Sequence, residues 1–411
     1  MHYFTRMKTL LMIAALVLAG CTAEGADPIL PGGPLSLALD VQEMVVPADT
    51  LSGEPYLISA DGQVHLSWLD RTSTGAAMRL ARMDGASWGL KSTIAAGDRW
   101  FVNWADVPSI VSNGPEMWAH WLEYNGDGRY SYGVRVSHSQ DAGQTWETPT
   151  WLHDDRSPVE HGFGAMAASG GKVHAVWLDG RKWAEGVQEM TVRTRSLGET
   201  PGPEFLIDDL TCDCCPNAMT ALDDGGLIMA YRNRTETEVR DIHVARMVDG
   251  SWEEPKAVHE DGWEIAACPV NGPALDASHG NVAIAWFTAP NDQPQVNVAF
   301  SNDSGETFGA PIRMDTGAAI GRVDVVLLDD GTAIASWIQG DPATGGSEAG
   351  ITARRVAPDG RQSEAVTVVP TSSSRTSGYP RMVRDGDALV FAWTGTQPTR
   401  SVRTARAVMT L

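Results

Sequence analysis

Gly171-Lys-Val-His-Ala-Val-Trp177 is one copy of the unit that decides the fold: a turn glycine, alternating apolar residues and a closing aromatic residue. Related copies occur at residues 62–68, 116–121, 226–231, 280–286, 331–337 and 387–393. The closing aromatic residues follow one another at steps of 53, 56, 54, 55, 51 and 56 residues. A repeat of this length with period-2 alternation indicates the blades of a β-propeller rather than helical repeats.

The seven units predict an all-β fold, a single β-propeller with seven blades of four short strands each. The last unit ends soon after its third strand, which we predict at residues 401–409. We expect residues 41–46 to supply the missing outer strand, so that both chain ends meet in one blade and no sheet edge stays open. The propeller is predicted to span residues 34–411 as one domain, with no helix of note.

The N-terminus has the pattern of an export signal. Arg6 and Lys8 precede an apolar run at residues 10–18, which is shorter than the ~20 residues that a membrane-spanning helix needs. We interpret residues 1–20 as a signal peptide and residues 21–33 as a tether. Leu18-Ala19-Gly20-Cys21 resembles the lipobox of bacterial lipoproteins, with an ordinary cleaved export signal as the alternative. The resemblance implies lipidation of Cys21 and an anchor in the cell envelope, in the outer membrane because residue 22 is not aspartate.

The charge of the chain restricts its partners. Without residues 1–20, the sequence carries 29 basic and 52 acidic side chains, a net charge of −23. Such a chain repels phosphate backbones, so we expect no nucleic-acid partner. We expect a monomer whose acidic surface keeps it soluble.

Two stretches at the predicted ends of blades share one turn pattern. They are Ser139-Gln-Asp141-Ala-Gly143-Gln-Thr145-Trp146 and Ser301-Asn-Asp303-Ser-Gly305-Glu-Thr307-Phe308. In such a turn the aspartate can accept backbone amides, the glycine supplies a positive φ, and the aromatic ring packs on apolar neighbours. The pattern resembles the Asp-box, or BNR repeat, of the sialidase superfamily. In that family the box is structural and the propeller is usually six-bladed, which makes six blades the alternative to the seven counted here.

Thr211-Cys212-Asp213-Cys214-Cys215-Pro216 concentrates three cysteines, and Cys268 lies 53 positions after Cys215. That offset also relates residues 221–223 to residues 274–276, and an offset of 54 places His161 on Cys215. We therefore expect His161, Cys215 and Cys268 to meet at one mouth of the axial channel. Two interpretations stay open. One is a disulfide from Cys268 to Cys214 or Cys215 with a second, local bond. The other is a Cu or Zn site formed by Cys215, Cys268 and one or both of Cys212 and Cys214, with His161 as a further candidate ligand.

The resemblance to sialidases implies a catalytic set of three clamping arginines, a tyrosine nucleophile activated by glutamate, and an aspartic acid. A rough analogue would use the clamp Arg181, Arg234, Arg322 and Arg381 with the nucleophile Tyr231. The Phe/Tyr-Arg-Ile-Pro motif that carries the first clamp arginine of that family has no counterpart in this sequence. Tyr231 also stands where the other units carry tryptophan, which favours a packing role.

Three classes of function follow. The first, which we favour, is a non-hydrolytic binding or accessory propeller with a carbohydrate or protein ligand in an axial funnel and a cysteine site for a disulfide or a soft metal. The second is an exo-sialidase-type glycosidase acting on sialic acid or a related acidic sugar. The third is a scaffold whose cysteines are purely structural.

Overall fold

Seven antiparallel sheets follow one another along the chain in the computed structural model, which describes residues 33–344 and 348–411. The prediction of an all-β, seven-bladed propeller is confirmed. The first strand is β1 (Ala38–Met44). Blades 1 to 3 are formed, from the inner to the outer strand, by β2 (Ser52–Ala60), β3 (Gln63–Thr72), β4 (Gly75–Asp84) and β5 (Ser87–Gly97); β6 (Ser109–Asn113), β7 (Glu116–Tyr124), β8 (Tyr132–Ser139) and β9 (Thr150–Trp151); and β10 (His161–Ser169), β11 (Lys172–Asp179), β12 (Met190–Leu197) and β13 (Phe205–Thr211).

Blades 4 to 7 repeat this order, and blade 4 carries one additional short strand, β18, beside its third strand. Their strands are β14 (Ala218–Ala221), β15 (Leu227–Arg232), β16 (Ile242–Val248), β17 (Ser251–Trp252) and β18 (Lys256–Ala257); β19 (Ala274–Ser278), β20 (Asn281–Thr288), β21 (Gln295–Ser301) and β22 (Ile312–Arg313); β23 (Ala319–Leu327), β24 (Ala333–Gly340), β25 (Glu348–Val356) and β26 (Val366–Ser372); and β27 (Arg381–Asp385), β28 (Ala388–Gly395) and β29 (Ser401–Thr410).

The two ends of the described chain close the seventh blade. Strand β1 pairs antiparallel with β29, from Ala38 opposite Thr410 to Met44 opposite Thr404. Closure by an N-terminal strand is therefore confirmed, with the strand beginning three residues before the predicted 41–46. Because β1 covers the free side of β29, this blade has the same four strands as its neighbours.

The repeated aromatic residues lie in the second strand of each blade and are fully buried. They are Trp68, Trp121, Trp177, Tyr231, Trp286, Trp337 and Trp393. A buried indole N–H needs a hydrogen-bond acceptor. In blades 1 to 3 the acceptor is the acidic side chain two residues later: Asp70 for Trp68, Glu123 for Trp121 and Asp179 for Trp177, at 2.8–2.9 Å. Asp70 and Asp179, at the ends of the second strands, are buried and therefore belong to the core, whereas Glu123 is partly exposed.

Carboxylates in or just after the inner strands link blades 4, 5, 6 and 7 to one another. Asp276 Oδ2 in β19 accepts the amide of Leu327 in β23 at 2.7 Å, and Asp324 Oδ2 in β23 accepts the amide of Met382 in β27 at 2.8 Å. Asp223 after β14 accepts the amide of Gly280 in the same way. The related residues 221–223 and 274–276 noted in the sequence thus end in equivalent bridges between blades.

Helical structure is confined to short turns in the described residues. The helix α1 (Arg181–Ala184) follows β11, and single 3-10 turns lie at Pro290–Asp292, Pro342–Thr344 and Arg375–Ser377. None of the helices in these ranges is long and apolar enough to cross a membrane. Pro34–Leu411 forms one compact unit, and the predicted signal peptide, Cys21 and most of the tether lie outside the described residues.

The two turns whose sequences resemble the Asp-box, called the Asp-box turns below for this resemblance alone, follow the third strands of blades 2 and 5. Asp141 Oδ1 accepts the amides of Gln144 and Thr145 at 2.9 and 2.8 Å, and the Thr145 hydroxyl donates to Asp141 Oδ2 at 2.7 Å. Gly143 has φ +80° and donates its amide to Ser139 Oγ. Asp303, Gly305 and Ser301 repeat this geometry. Trp146 and Phe308 pack against the core clusters of the adjoining blades.

Candidate functional site

The cysteines lie on the face of the propeller where the innermost strands begin, which we call the upper face. Cys212, Cys214 and Cys215 occupy the loop between β13 and β14, and Cys268 stands in the loop before β19. We call residues 212–215 the cysteine loop. Successive strands run in opposite directions, so the Asp-box turns, which come after third strands, lie on the opposite, lower face.

Backbone contacts hold the cysteine loop between blades 3, 4 and 5. Cys212 donates its amide to the carbonyl of Arg232 at the end of β15, at 3.1 Å. Gly272 lies so close to Pro216 that a Cβ atom at position 272 would stand 2.0 Å from the Pro216 carbonyl oxygen. Because only glycine permits this approach, the loop that carries Cys268 is pressed against the one that carries Cys215.

Four sulfur atoms form two overlapping groups around Cys214. The sulfurs of Cys212, Cys214 and Cys215 all lie within 4.8 Å of one another, and the Cys212 and Cys214 sulfurs are 3.8 Å apart. The Cys214 sulfur also lies within 4.8 Å of Cys268 Sγ and of a carboxylate oxygen of Asp213. All four thiols are free in this structure. We call the first group the buried trio and the second the rim group.

The two groups differ in exposure. Cys212 and Cys215 are each 1% exposed, whereas Cys214 is half-buried and Cys268 is exposed. Asp213 is half-buried as well. A path of sulfur ligands therefore leads from solvent at Cys268, through Cys214, to the interior.

Two arginines bring positive charge to the sulfurs. Arg240 Nη1 lies 3.4 Å from Cys212 Sγ and 3.4 Å from Asp213 Oδ1. Arg232 is 1% exposed and donates to three backbone carbonyls, those of Asn271, Arg240 and Phe287. Arg240 also pairs with Glu238 Oε2 at 2.8 Å, whereas Arg232 forms no ion pair with a carboxylate of the described residues, so the charge of Arg232 can stabilise a thiolate.

The thiols respond differently to this environment. Burial raises the pKa of Cys212 to about 12. Burial also opposes ionisation of Cys215, but hydrogen bonds from the neighbouring thiols, the charge of Arg232 and a backbone amide lower its pKa well below the usual range. A hydrogen bond from Cys214 lowers the pKa of Cys268. Cys215 and Cys268 are therefore the thiols most ready to bind a cation as thiolates.

The structure places His161 in a different cluster. Its Nε2 atom lies 3.0 Å from Asp155 Oδ2 and 3.7 Å from Asp179 Oδ1, and its ring stacks on His153 with the centroids 3.9 Å apart. His161 belongs to neither sulfur group. The repeat offset correctly predicted that His161 occupies the equivalent backbone position of its blade. Its side chain, however, is held between blades 2 and 3 by partners that cannot be predicted from the repeat spacing.

The residues of the sialidase analogue each have internal partners. Arg181 pairs with Asp179 and Glu204 at 2.7 Å, and Arg234 pairs with Glu238 at 2.6 Å. The Tyr231 hydroxyl donates to Asp208 Oδ2 at 2.5 Å, and burial, then the charge of this acid, raise the tyrosine pKa. A buried tyrosine that donates its proton to a carboxylate inside the core is not presented to a substrate.

The two remaining arginines lie near the axis. Arg322 is 5% exposed and donates to the carbonyls of Ser374 and Gly378 at 3.0 Å and to Ser377 Oγ at 2.7 Å, while its guanidinium lies over the Trp104 ring. It holds the loop between blades 6 and 7. Arg381 lies over the Tyr56 ring, 4.8 Å from its centroid, and borders the axial channel.

The innermost strands enclose a cavity of about 90 Å³ on the axis. Asp106, Asn217 and Arg381 border it, and each has a buried polar side-chain atom without a hydrogen-bond partner in the described structure. A second cavity of about 530 Å³ opens along the lower ends of the inner strands. The enclosed cavity is far smaller than the ~300 Å³ typical of small-molecule sites.

An acid cluster that the sequence did not reveal lies beside the cysteine loop. Tyr132 donates its hydroxyl to Glu160 Oε1 at 2.5 Å. Burial raises the pKa of Asp106 to about 8 and that of Glu160 to about 7. The negative charge of Asp213, in the cysteine loop, also raises the pKa of Glu160, so the two carboxylates interact. These residues stand in different blades and share no motif, so only the folded chain shows them together.

No protein-family model matches the sequence, and no curated protein matches it. Solved structures do align. A protein of unknown function from Dyadobacter fermentans shares 14% identity over 91% of this chain and 99% of its own, with a TM-score of 0.51. The α-L-arabinofuranosidase Arb93A from Fusarium graminearum, in complex with an iminosugar inhibitor, shares 12% identity over 92% and 98%, with a TM-score of 0.50.

The polysaccharide lyase Uly1 aligns at 10% identity over 88% of this chain and 90% of its own, with a TM-score of 0.51. At such identities the likeness concerns the fold alone. This chain thus shares its propeller architecture with sugar-active proteins, and its chemistry must be argued from its own residues.

Proposed function

We propose that this protein is a non-hydrolytic binding propeller whose cysteine loop holds a soft metal ion, Cu(I) or Zn(II). The observation that carries the proposal is the spacing of the buried trio. Sulfurs that bind one zinc ion tetrahedrally at ~2.3 Å stand ~3.8 Å apart, the separation of the Cys212 and Cys214 sulfurs. A disulfide would require ~2.05 Å. Thiolates are the ligands that select Cu(I) and Zn(II).

Charge balance supports the same function. Three thiolates in the interior would be costly without compensation. The buried Arg232 supplies one positive charge, Arg240 lies 3.4 Å from Cys212 Sγ while it also pairs with Glu238, and the metal ion supplies further positive charge. When bound, the ion gains sulfur ligands that are already close together. The protein residues hold the thiolates in place and exclude water from Cys212 and Cys215.

Several observations weigh against the glycosidase alternative. Arg181, Arg234 and Arg322 each have internal partners, and Tyr231 is fully buried with its hydroxyl bonded to Asp208. An arginine clamp must present free N–H donors to a substrate carboxylate. We therefore expect no release of the fluorophore from a fluorogenic sialoside. Release that is lost in Arg381→Ala would establish the glycosidase instead.

Metal analysis of anaerobically purified protein tests the proposed function. The expected result is one copper or zinc ion per chain, X-ray absorption fine structure dominated by sulfur ligands, and loss of the ion in Cys215→Ser. Protein without metal that also fails to bind Cu(I) or Zn(II) after reduction would overturn the proposal. A count of zero titratable thiols in the same preparation would identify the disulfide scaffold.

We also propose that the protein lies in the cell envelope, held to the membrane by a lipid anchor on Cys21. We propose this anchor because residues 18–21 resemble a lipobox. Labelling cells with palmitate should mark the wild-type protein and leave Cys21→Ser unmarked. Equal labelling of both would place the lipid elsewhere or remove the anchor from the proposal.

A further inference from the structure

The two sulfur groups share Cys214 and lie at different depths, one at the surface and one in the interior. The rim group, Asp213, Cys214 and Cys268, is reached from solvent, and the buried trio shares only Cys214 with it. Neither group contains all four sulfurs. A single site built from four cysteines would place all of them around one point, whereas this arrangement offers two neighbouring positions for one ion.

The geometry points to a Cu(I) relay, in which copper enters at the rim group and passes to the buried trio while Cys214 stays bound. This inference rests on the proposed function, since it needs the cysteine loop to bind metal. In the transfer the bonds from Cys268 and Asp213 to copper break as bonds from Cys212 and Cys215 form. Each thiol that binds copper as a thiolate gives up any proton it holds, each thiolate that copper leaves is free to take one up, and copper stays Cu(I), so no oxidant or reductant is needed.

The ligand count favours copper over zinc at the inner position. Among the described His, Cys, Asp and Glu side chains, none adds a fourth ligand atom within 4.8 Å of all three sulfurs of the trio. Protein-bound zinc almost always has four ligands, whereas Cu(I) is stable with two or three sulfurs. At the inner position a Cu(I) ion and the buried Arg232 offset two of the three thiolate charges, while Arg240 is shared with Glu238 and Asp213.

The rim group has what a receiving position needs. Cys268 is exposed, its sulfur lies 3.9 Å from Asp213 Oδ1, and Arg240 stands 3.4 Å from the same carboxylate oxygen. A weak oxygen ligand beside two sulfurs releases copper more readily than a third sulfur would. The ion is therefore expected to rest in the trio, with the rim group setting how fast it arrives and leaves.

The test compares Cys268→Ser with Cys215→Ser in the metal-free, fully reduced full-length chain, using Cu(I) held by the chromophoric chelator bicinchoninate. Equilibrium competition gives the affinity, and stopped-flow absorbance gives the rate of transfer. For Cys268→Ser we expect an affinity within about threefold of the wild type and transfer slowed by about tenfold or more. For Cys215→Ser we expect the affinity to fall by at least about 100-fold.

Because Cys268 is exposed, its serine variant should fold, and the thermal midpoint of the metal-free protein checks this for both variants. If Cys268→Ser loses as much affinity as Cys215→Ser, the four sulfurs form one site and the relay is wrong, while metal binding stands. Unchanged transfer in Cys268→Ser, or tighter binding of Zn(II) than of Cu(I), overturns the relay too. Failure of the wild-type chain to bind either metal overturns the proposed function itself.

Discussion

Asp141 on the lower face and Cys214 on the upper face both stand in short loops between strands, yet their side chains have very different partners. Asp141 accepts two amides and two hydroxyls at 2.7–2.9 Å, all from its own turn. The Cys214 sulfur lies 3.8 Å from the Cys212 sulfur, beyond any covalent bond. The hydrogen-bonding groups of the Asp-box turn are satisfied within the turn, whereas the cysteine loop brings together thiols that can still bind a metal ion.

The comparison separates residues that build the propeller from residues that act on it. A polar group whose hydrogen bonds are all local contributes to folding. The four cysteine thiols, by contrast, lie near positive charge and include one exposed member, so they can still bind a metal ion in the folded protein. Four changes, from the largest expected effect to the smallest, test this division.

Arg232→Met should have the largest effect, because Arg232 contributes both to Cu(I) binding and to the stability of the upper face. It removes the buried charge beside Cys215, and we expect Cu(I) affinity to fall by about 10- to 100-fold. It also leaves three carbonyls without their donor, so unfolding free energy should fall by about 3 kcal/mol. Chelator competition and denaturant titration measure the two effects.

Arg322→Met is the matched control. This arginine is also buried, lies over a tryptophan ring and donates to carbonyls, but in the loop between blades 6 and 7. We expect a similar loss of stability with Cu(I) affinity unchanged. Equal losses of affinity in both variants would mean that the effect comes from loosening the fold rather than from charge.

Gly143→Ala should damage the lower face alone. Gly143 has φ +80°, and a Cβ atom there would stand 2.4 Å from Leu80 Cδ2 in the core. The strained backbone and the overpacking together should lower the unfolding free energy by about 2–3 kcal/mol. Gly250→Ala has the same positive φ but open space around its Cβ, so it should cost only about 1 kcal/mol. Copper affinity that changed in Gly143→Ala would contradict the separation of the faces.

The fold was predictable because the pattern of a turn, alternating apolar residues and a closing aromatic residue occurs seven times, each time in the second strand of a blade. The site was predictable only in part. Cys212, Cys214, Cys215 and Cys268 stand together because three are adjacent in sequence and the fourth occupies the equivalent position of the next blade. His161 occupies an equivalent position too, but its ring stacks on His153 and contacts Asp155, away from the sulfurs. Side-chain direction depends on such local partners, which spacing does not encode.

Tyr231→Phe probes whether an aromatic residue of the repeat acts in the core or in chemistry. The hydroxyl donates to Asp208 at 2.5 Å, and its loss should cost about 1 kcal/mol in unfolding free energy, because one buried hydrogen bond disappears and the ring stays packed. Metal affinity should not change. A stability equal to the wild type, together with a lost hydrolytic activity, would instead assign the tyrosine to catalysis.

Asp141→Asn should have the smallest effect, and one that depends on pH. Hydrogen bonds from the side chain and the amide of Thr145 lower the pKa of Asp141 to about 2, below the ~3.9 of an unfolded aspartate. A lowered pKa contributes stability that is present above about pH 4 and is lost as the pH falls towards 2. The thermal midpoints of wild type and Asp141→Asn should therefore differ at pH 6 and converge near pH 2. Asp127→Asn, at an exposed loop position, provides the control. If the difference between wild type and Asp141→Asn persisted at pH 2, the carboxylate charge would not be what the turn uses.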